Sequence, residues 1–509
     1  MIKIFFKQLD LAKIFVFLAA IFLFGIKGKA DLDPDFGWHY KMGELILQKG
    51  IPKTDPFSYT MPSFPFIDHE WLTNVSYFWI FGQVGFVGLG FISSFAVLFS
   101  LLISTEILTK SDKGSLHVYW KRGLFLLMVI SLLPFSGIRP QVFSWLFLSI
   151  LLFLILNRNI NNKSLFFLPF LFLLWVNLHG SFSMGIGALV LFFILKFLRL
   201  KKIIIFLLPV IILCIIATFI NPYGPGIWKE VWMQVSDTAL RWRIQEWQPS
   251  FFYPNFSFLF LLSFSGIFIF RYRRKFLLEE IGLFLAFLYL SLSSVRHVPL
   301  WIILNSYFFS KCLIFLKEEA DDVKFGSERM KKISIYFFVI CFIVFLVTTL
   351  RSIYWFLNSA NQGFYPQKAI IFLQNNSGPG EIFSQYGWGG YLIWKYPDKK
   401  VFIDGRMPSW RWKKNPKNES SFAMEDYLSL LNGEKNYKKI FSQYNITRVL
   451  WPVEDLEKTP KPINFIVKID NFFCRFRKCK PKFDFLETLI KDGWKEIYKD
   501  NIAVIYTIQ

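Results

Sequence analysis

Apolar runs separated by short basic loops recur along most of this 509-residue chain, and they restrict it to a membrane-embedded helical fold. In lipid every backbone N–H and C=O must be satisfied internally, so runs of this length are read as spanning helices. About eleven spans are expected, at about 12–28, 88–108, 123–138, 142–157, 164–178, 180–198, 203–220, 254–270, 278–295, 298–316 and 333–357. The segment from Trp71 to Phe86 is aromatic and suits an interfacial helix leading into the second span. The composition agrees: 54% of residues are hydrophobic and 63 are Phe.

The net charge of +22 invites a nucleic-acid reading, but the basic residues fall in short clusters between apolar runs. That is the distribution of cytoplasmic loops. With the N-terminus inside, one side holds Lys110, Lys113, Lys121 and Arg122, then Arg158 and Lys163, then Arg199, Lys201 and Lys202, then Arg271, Arg273, Arg274 and Lys275, then the stretch from Lys317 to Lys332. An odd number of spans, N-in and C-out, keeps these clusters together. Lys3 and Lys7 before the first run resemble a signal peptide; the many later runs read it as an uncleaved helix, with cleavage after Ala30 as the alternative. Cys214, Cys312 and Cys341 lie inside apolar runs. Cys474 and Cys479 flank a basic stretch and suit a local disulfide if the tail is extracytoplasmic.

The expected domains are a membrane part over about 1–357, with outer loops at about 29–87 and 221–253, and a tail of about 358–509, the size of one modest domain. The tail reads as α/β, with a helix over Gln367 to Gln374 and short strands at Glu381–Phe383, Tyr391–Trp394, Val401–Ile403, Arg448–Trp451 and Ile502–Thr507.

This threading gathers the unusual polar residues on the outer side. Asp33, Asp35, His39, Asp55, His69, Glu70, Arg139, Gln141, His179, Asn221, Glu246, Arg296 and His297 all fall in outer loops or at outer ends of spans. Ionisable groups at the lipid boundary usually mark function. In Asp31-Leu32-Asp33-Pro34-Asp35-Phe36-Gly37-Trp38-His39, Asp31 reads as loop charge, Asp33 as an N-cap and Pro34 as the first helical residue of a helix running to about Gln48. Asp35 complements the helix dipole, or belongs to a site with His39, which lies four residues on and on the same face. Asp68 suits a cap, and His69 and Glu70 add a second imidazole and carboxylate. Asp35, His39, His69 and Glu70 could hold a divalent cation; Asp35, His69 and Glu70 are the chosen ligands, with Mg, Mn or Zn open. Asp55-Pro56-Phe57-Ser58 reads as a turn.

Arg139-Pro140-Gln141 and Arg296-His297 interrupt apolar stretches. Their guanidinium groups either snorkel or bind phosphate with paired donors. His179 separates two spans with almost no loop, and Glu246 follows the basic, aromatic Arg241-Trp242-Arg243, either as part of an interfacial helix or as an acceptor-binding carboxylate. In the tail, Tyr386-Gly387-Trp388-Gly389-Gly390-Tyr391 and Phe402-Ile403-Asp404-Gly405-Arg406 carry glycines that admit close backbone approach, or build ordinary turns.

The order of a span, an acidic outer loop, many spans and an outer tail resembles the GT-C superfamily of integral-membrane glycosyltransferases. The closer resemblance is to a bacterial group of unassigned substrates. It rests on Asp33-Pro34-Asp35, Trp38-His39, Gly43, Asp55-Pro56-Phe57-Ser58, His69-Glu70-Trp71-Leu72, Arg139-Pro140-Gln141, Trp175-Val176-Asn177-Leu178-His179-Gly180, Asn221-Pro222-Tyr223-Gly224, Glu246-Trp247, Trp388-Gly389-Gly390-Tyr391 and Asp404-Gly405-Arg406. The resemblance implies a polyprenyl-phosphate-linked sugar donor, a glycan, lipid or protein acceptor, inversion at the anomeric carbon, and an acid in the first outer loop as base. Asp35 matches that place, although the superfamily's adjacent Asp-Glu pair is here Asp35-Phe36. His39 and Glu70 are the further catalytic candidates. Arg139, Gln141, His179, Glu246, Arg296 and His297 are the substrate-binding candidates, chosen by location. A flippase of lipid-linked glycans, or a scaffold of envelope assembly, would use the same charges without breaking a bond. The absence of clear related halves favours the enzyme.

Overall fold

The computed structural model describes residues 11–30, 32–107, 116–157, 162–201, 204–238, 240–253, 255–323, 325–359, 363–453 and 484–508. Lys3, Lys7, Asp31, Lys110, Lys113, Arg158, Lys202, Cys474 and Cys479 lie outside the described residues. The chain is a polytopic, mostly α-helical membrane protein with a small C-terminal β-sheet domain. Among the described residues, five helices are long and apolar enough to cross a membrane. Shorter apolar helices precede them and lie between them, and each predicted span falls on a helix.

The chain divides into two compact units. The first comprises 1–32, 80–231 and 241–357; the second comprises 33–79, 232–240 and 358–509. The division expected from sequence put 33–79 and 232–240 with the membrane part. They belong instead with the tail, because the first outer loop is hydrogen-bonded and packed onto it.

In the first unit the helices are α1 (Leu11–Ala30), the later part of α3 (Trp71–Leu102), α4 (Val118–Leu132), α5 (Gln141–Leu156), α6 (Leu168–Leu178), α7 (Phe182–Leu200) and α8 (Ile204–Ala217). The second outer loop carries α9 (Gly226–Ser236) and α10 (Leu240–Arg243), and α11 (Phe256–Arg271), α12 (Leu278–Ser293), α13 (Val298–Asp321) and α14 (Gly326–Ser359) follow. Within lipid, apolar burial does not draw helices together, so close side-chain packing must. Helix α13 is the centre: 89% of its apolar stretch is buried, against α4, α5, α11 and α12. Helix α14 is peripheral, with 17% buried and Ile340, Ile343, Val347 and Leu350 exposed, a lipid-facing surface. Buried serines join α3 to α5, with Ser100 Oγ 2.6 Å from Ser149 Oγ. The run Trp71–Leu102 is broken at Gly85, whose φ of 60° and ψ of −154° suit glycine alone. The interfacial helix expected over Trp71 to Phe86 is therefore a separate helix leading into the span.

The second unit contains α2 (Phe36–Lys49), α15 (Gln367–Asn375), β1 (Glu381–Ser384), α16 (Gly389–Lys395), α17 (Ala423–Leu431), α18 (Tyr437–Gln443), β2 (Ile446–Pro452), α19 (Phe485–Lys491), β3 (Lys495–Lys499) and β4 (Ala503–Thr507). The sheet order is β1-β2-β4-β3, with β1 and β2 parallel and the other pairs antiparallel. Three of the five expected strands are present. Tyr391–Trp394 is helical instead, because α16 opens on a glycine pair that lets it lie against α2. A Cβ on Gly37 would stand 2.0 Å from the Gly390 carbonyl oxygen, and one on Gly390 would stand 2.2 Å from that of Pro34. Val401 makes only an isolated parallel bridge, to Ser58. That bridge stitches the outer loop to the tail: Tyr59 N–H donates to Val401 O, Val401 N–H to Phe57 O, and Thr60 Oγ1 to Phe402 O at 2.6 Å.

Candidate active site

In the second unit the chain turns into α2 through Asp33, whose Oδ1 accepts the Asp35 N–H at 2.9 Å and whose carbonyl accepts the Phe36 N–H. Asp35, not Asp33, occupies the cap position of the helix, and its side chain makes no capping bond. The Asp35 carboxylate is turned elsewhere. A Cβ built on Gly405 would stand 1.8 Å from its Oδ1, so the carboxylate fills the place a side chain at 405 would need. This is the physical role of the glycine in Asp404-Gly405-Arg406. The expected capping role of Asp33 is corrected, and Asp35 is left half-buried at the head of α2.

Behind it lies a buried polar relay. His39, Asp68, Glu70 and Asn74 are all buried. Asp68 Oδ1 accepts the Glu70 N–H at 3.1 Å, which places it before the helix as expected. Its Oδ2 accepts from Asn74 Nδ2 at 2.7 Å, and Asn74 Oδ1 lies 2.6 Å from His39 Nδ1. His39 Nε2 faces Glu70 Oε2 at 3.7 Å, and the other oxygen of Glu70 faces His69 Nε2 at 3.7 Å. Gly43 permits this geometry: a Cβ there would collide with the Asn74 carbonyl, so α2 and the start of α3 meet backbone to backbone. Burial pushes His39 down to about 3, helped by the nearby charges of His69 and Arg406 and opposed by the Asn74 bond. Burial lifts Asp68 to about 6, against the donors from Glu70 and Asn74 and the charge of Arg406. His39 is therefore neutral at physiological pH.

Arg406 anchors the unit. Its Nε and Nη2 donate to the two oxygens of Asp404 at 2.8 and 2.6 Å, and its Nη1 pairs with Asp55 Oδ1 at 2.8 Å. Trp38, Phe57, Phe66 and Trp410 surround the guanidinium with ring centroids 5.0–5.9 Å away. The two carboxylates more than offset burial and hold Arg406 charged. Asp55 does form the expected turn, accepting from the amides of Phe57 and Ser58, and it also binds the tail.

In the first unit, Arg139 Nη1 donates to Glu246 Oε1 at 2.9 Å. Arg296 stacks over Trp247 at 5.3 Å, and Trp247 meets His297 edge-on at 6.2 Å. Two backbone-paired turns present these groups: Ser294 Oγ donates to Glu246 O and Val295 N–H to Gln248 O, both at 2.9 Å. Burial alone would raise the Glu246 carboxyl, but Arg139 and Arg296 outweigh it and hold it below the usual range. Arg139, Glu246, Arg296 and His297 thus form one constellation. Gln141 is the half-buried first residue of α5. His179 belongs elsewhere: its Nδ1 accepts the Ser181 N–H at 3.1 Å and lies 2.8 Å from Ser144 Oγ, which accepts from Trp175 Nε1. It organises the tight turn before α7.

The expected cation set of Asp35, His69 and Glu70 is not assembled. Among the described residues no group of three or more His, Cys, Asp or Glu is disposed to hold a metal. His39 commits Nδ1 to Asn74. Sequence reasoning missed Asn74, which carries the relay; its place four residues after Glu70 on an otherwise aromatic helix was the available signal.

No family model matches the chain, and no curated protein matches it. Solved structures do. The archaeal oligosaccharyltransferase AglB from Archaeoglobus fulgidus, in complex with an inhibitory peptide and a dolichol-phosphate, aligns at TM-score 0.50 and 11% identity, over 88% of this chain and 70% of that one. The Archaeoglobus fulgidus oligosaccharyltransferase tethered to an acceptor peptide aligns at TM-score 0.54 and 11% identity, over 83% and 65%. The same protein in complex with Zn and sulfate aligns at TM-score 0.50 and 11% identity, over 83% and 64%. At such identity the likeness shows the fold alone: the chain shares the fold of these oligosaccharyltransferase structures.

Proposed function

We propose that the chain is an inverting glycosyltransferase that moves a hexose or pentose from a polyprenyl-phosphate-linked donor to a glycan, lipid or protein acceptor of the cell envelope. The observation that carries this reading is the Asp35 carboxylate, turned away from helix capping and seated against Gly405, one helical turn before His39. The fold shared with oligosaccharyltransferases supports the reaction class.

Asp35 orients the acceptor and, with Glu70, receives its proton, while the neutral His39 accepts a hydrogen bond from it. The acceptor oxygen or nitrogen attacks the anomeric carbon from the face opposite the phosphate. The bond from that carbon to the phosphate oxygen breaks, and the polyprenyl phosphate leaves with the electron pair. Arg139 and Arg296 bind the phosphate charge, since guanidinium presents paired donors to phosphate oxygens. Glu246 keeps Arg139 oriented. The basic loops support eleven spans with the N-terminus inside, which puts both constellations and the tail on the extracytoplasmic face of a prokaryotic membrane.

The test is mass spectrometry of lipid-linked and envelope glycans from cells with the wild-type chain, with Asp35→Asn and without the protein. Wild type should complete a glycan that the other two leave unfinished, with the variant still inserted in the membrane. Full transfer by Asp35→Asn would refute the mechanism; complete glycans stranded on the inner leaflet would indicate flipping instead.

A further inference from the structure

The hydrogen bonds around Asn74 fix which nitrogen of His39 carries its proton. An ionised Asp68 carboxylate can only accept, so the Asn74 group 2.7 Å from it must be the NH2. The other end of Asn74, 2.6 Å from His39 Nδ1, is then the carbonyl oxygen, which also can only accept. His39 must therefore donate through Nδ1–H. A neutral imidazole with its proton on Nδ1 has a lone pair on Nε2. That lone pair points to the Glu70 carboxylate, 3.7 Å away. A 3.7 Å gap holds no atom on its line, so a donor that reaches Nε2 approaches from beside the Glu70 carboxylate.

We propose that Asp68 and Asn74 are positioning residues that hold His39 as its Nδ1–H tautomer, so that Nε2, beside the Glu70 carboxylate, accepts a hydrogen bond from an uncharged O–H or N–H donor on the acceptor substrate. This rests on the transferase reading above. In the transfer step Nε2 accepts the hydrogen bond that orients the acceptor's O–H or N–H, the proton passes to a carboxylate (Asp35 or Glu70), the acceptor's lone pair forms the new bond to the anomeric carbon, and the departing phosphate takes the old bond's electrons. The burial of the whole relay keeps bulk water from competing for the tautomer. Asn74 touches neither the acceptor nor the donor; it acts through His39.

The relay is tested by 15N NMR of the histidine-labelled full chain in nanodiscs, with the His39 signals assigned by their loss in His39→Asn. Wild type should show a protonated Nδ1 and a lone-pair Nε2, and Asn74→Leu should shift His39 to a mixture of tautomers. A wild-type His39 protonated on Nε2, or an unchanged tautomer in Asn74→Leu, overturns the lock. Activity is read separately from the glycan profile. His39→Asn keeps a donor for Asn74 but has no Nε2; it should lower transfer about 10-fold, the scale of one orienting hydrogen bond. Wild-type transfer by His39→Asn makes the relay structural and overturns the orienting role, while leaving the transferase reading intact. A wild-type chain that changes no glycan removes that reading and the orienting role together, whatever tautomer is found.

Discussion

Arg406 of the tail and Asp55 of the first outer loop form a buried ion pair, with 2.8 Å between Nη1 and Oδ1 and both side chains almost wholly removed from solvent. A second carboxylate, Asp404, grips the same guanidinium through two donors. Charges taken from water this completely depend on one another: removing one partner leaves the rest buried and uncompensated. Arg406→Met should therefore destabilise the second unit by about 3–5 kcal/mol. The measurement is thermal unfolding of the detergent-solubilised chain. A melting temperature equal to wild type would show the pair to be dispensable.

The glycines divide into two testable kinds. Gly390→Ala drives a methyl against the Pro34 carbonyl, a backbone atom that cannot step aside, and should abolish folded protein on size-exclusion chromatography. The three atoms nearest the methyl of Gly405→Ala all belong to the Asp35 carboxylate, which can turn to accommodate it. That variant should fold, insert and fail in transfer. Gly187→Ala, with no atom within 4 Å of its new methyl, is the neutral comparison.

The two buried titrating groups of the relay predict opposite pH dependences. His39 takes a proton near 6.5 when unfolded but only near 3 when folded, so the stability it contributes is full above 6.5 and fades as pH falls toward 3. Asp68 ionises near 3.8 when unfolded and near 6 when folded, so its contribution is full below 3.8 and is lost as pH rises through 6. Melting temperatures of His39→Gln and Asp68→Asn relative to wild type should consequently move in opposite directions between pH 4 and 6 (about the window the two shifts share). A His39 resonance that titrates near 6.5 would contradict the first half of this prediction.

Arg139 and Arg296 should bind phosphate independently of chemistry at the acceptor. Each replaced by Gln should weaken retention of a polyprenyl phosphate about 10-fold or more in native mass spectrometry, the range of one charge-assisted hydrogen bond. Unchanged retention in both variants would remove these arginines from the donor site.

The membrane helices were legible because lipid imposes one rule on every span, so length and apolarity suffice. The tail was less so. Tyr391–Trp394 is apolar and aromatic enough for a strand, and only its contact with α2 makes it a helix; a short run carries no period to decide the matter. In the site, Asp35 and His39 were visible as a carboxylate and an imidazole one helical turn apart. Asn74 was not, because an amide gains its role from what stands at each end of it. The joining of Asp55 to Arg406 was likewise hidden: a turn motif and a strand-end motif, each with an ordinary local explanation, carry nothing in their own sequence to link them.

That ion pair has a consequence for synthesis. Asp55 leaves the ribosome with the first outer loop, and Arg406 leaves it only after every apolar helix has been made. The loop that carries Asp35, His39 and Glu70 must therefore wait, with a carboxylate destined for burial and no cation to meet it, until the segment that holds Arg406 arrives. Contacts so distant in the chain form late and slowly. A chain that has not yet reached Arg406 should accordingly leave the loop with Asp55 unassembled.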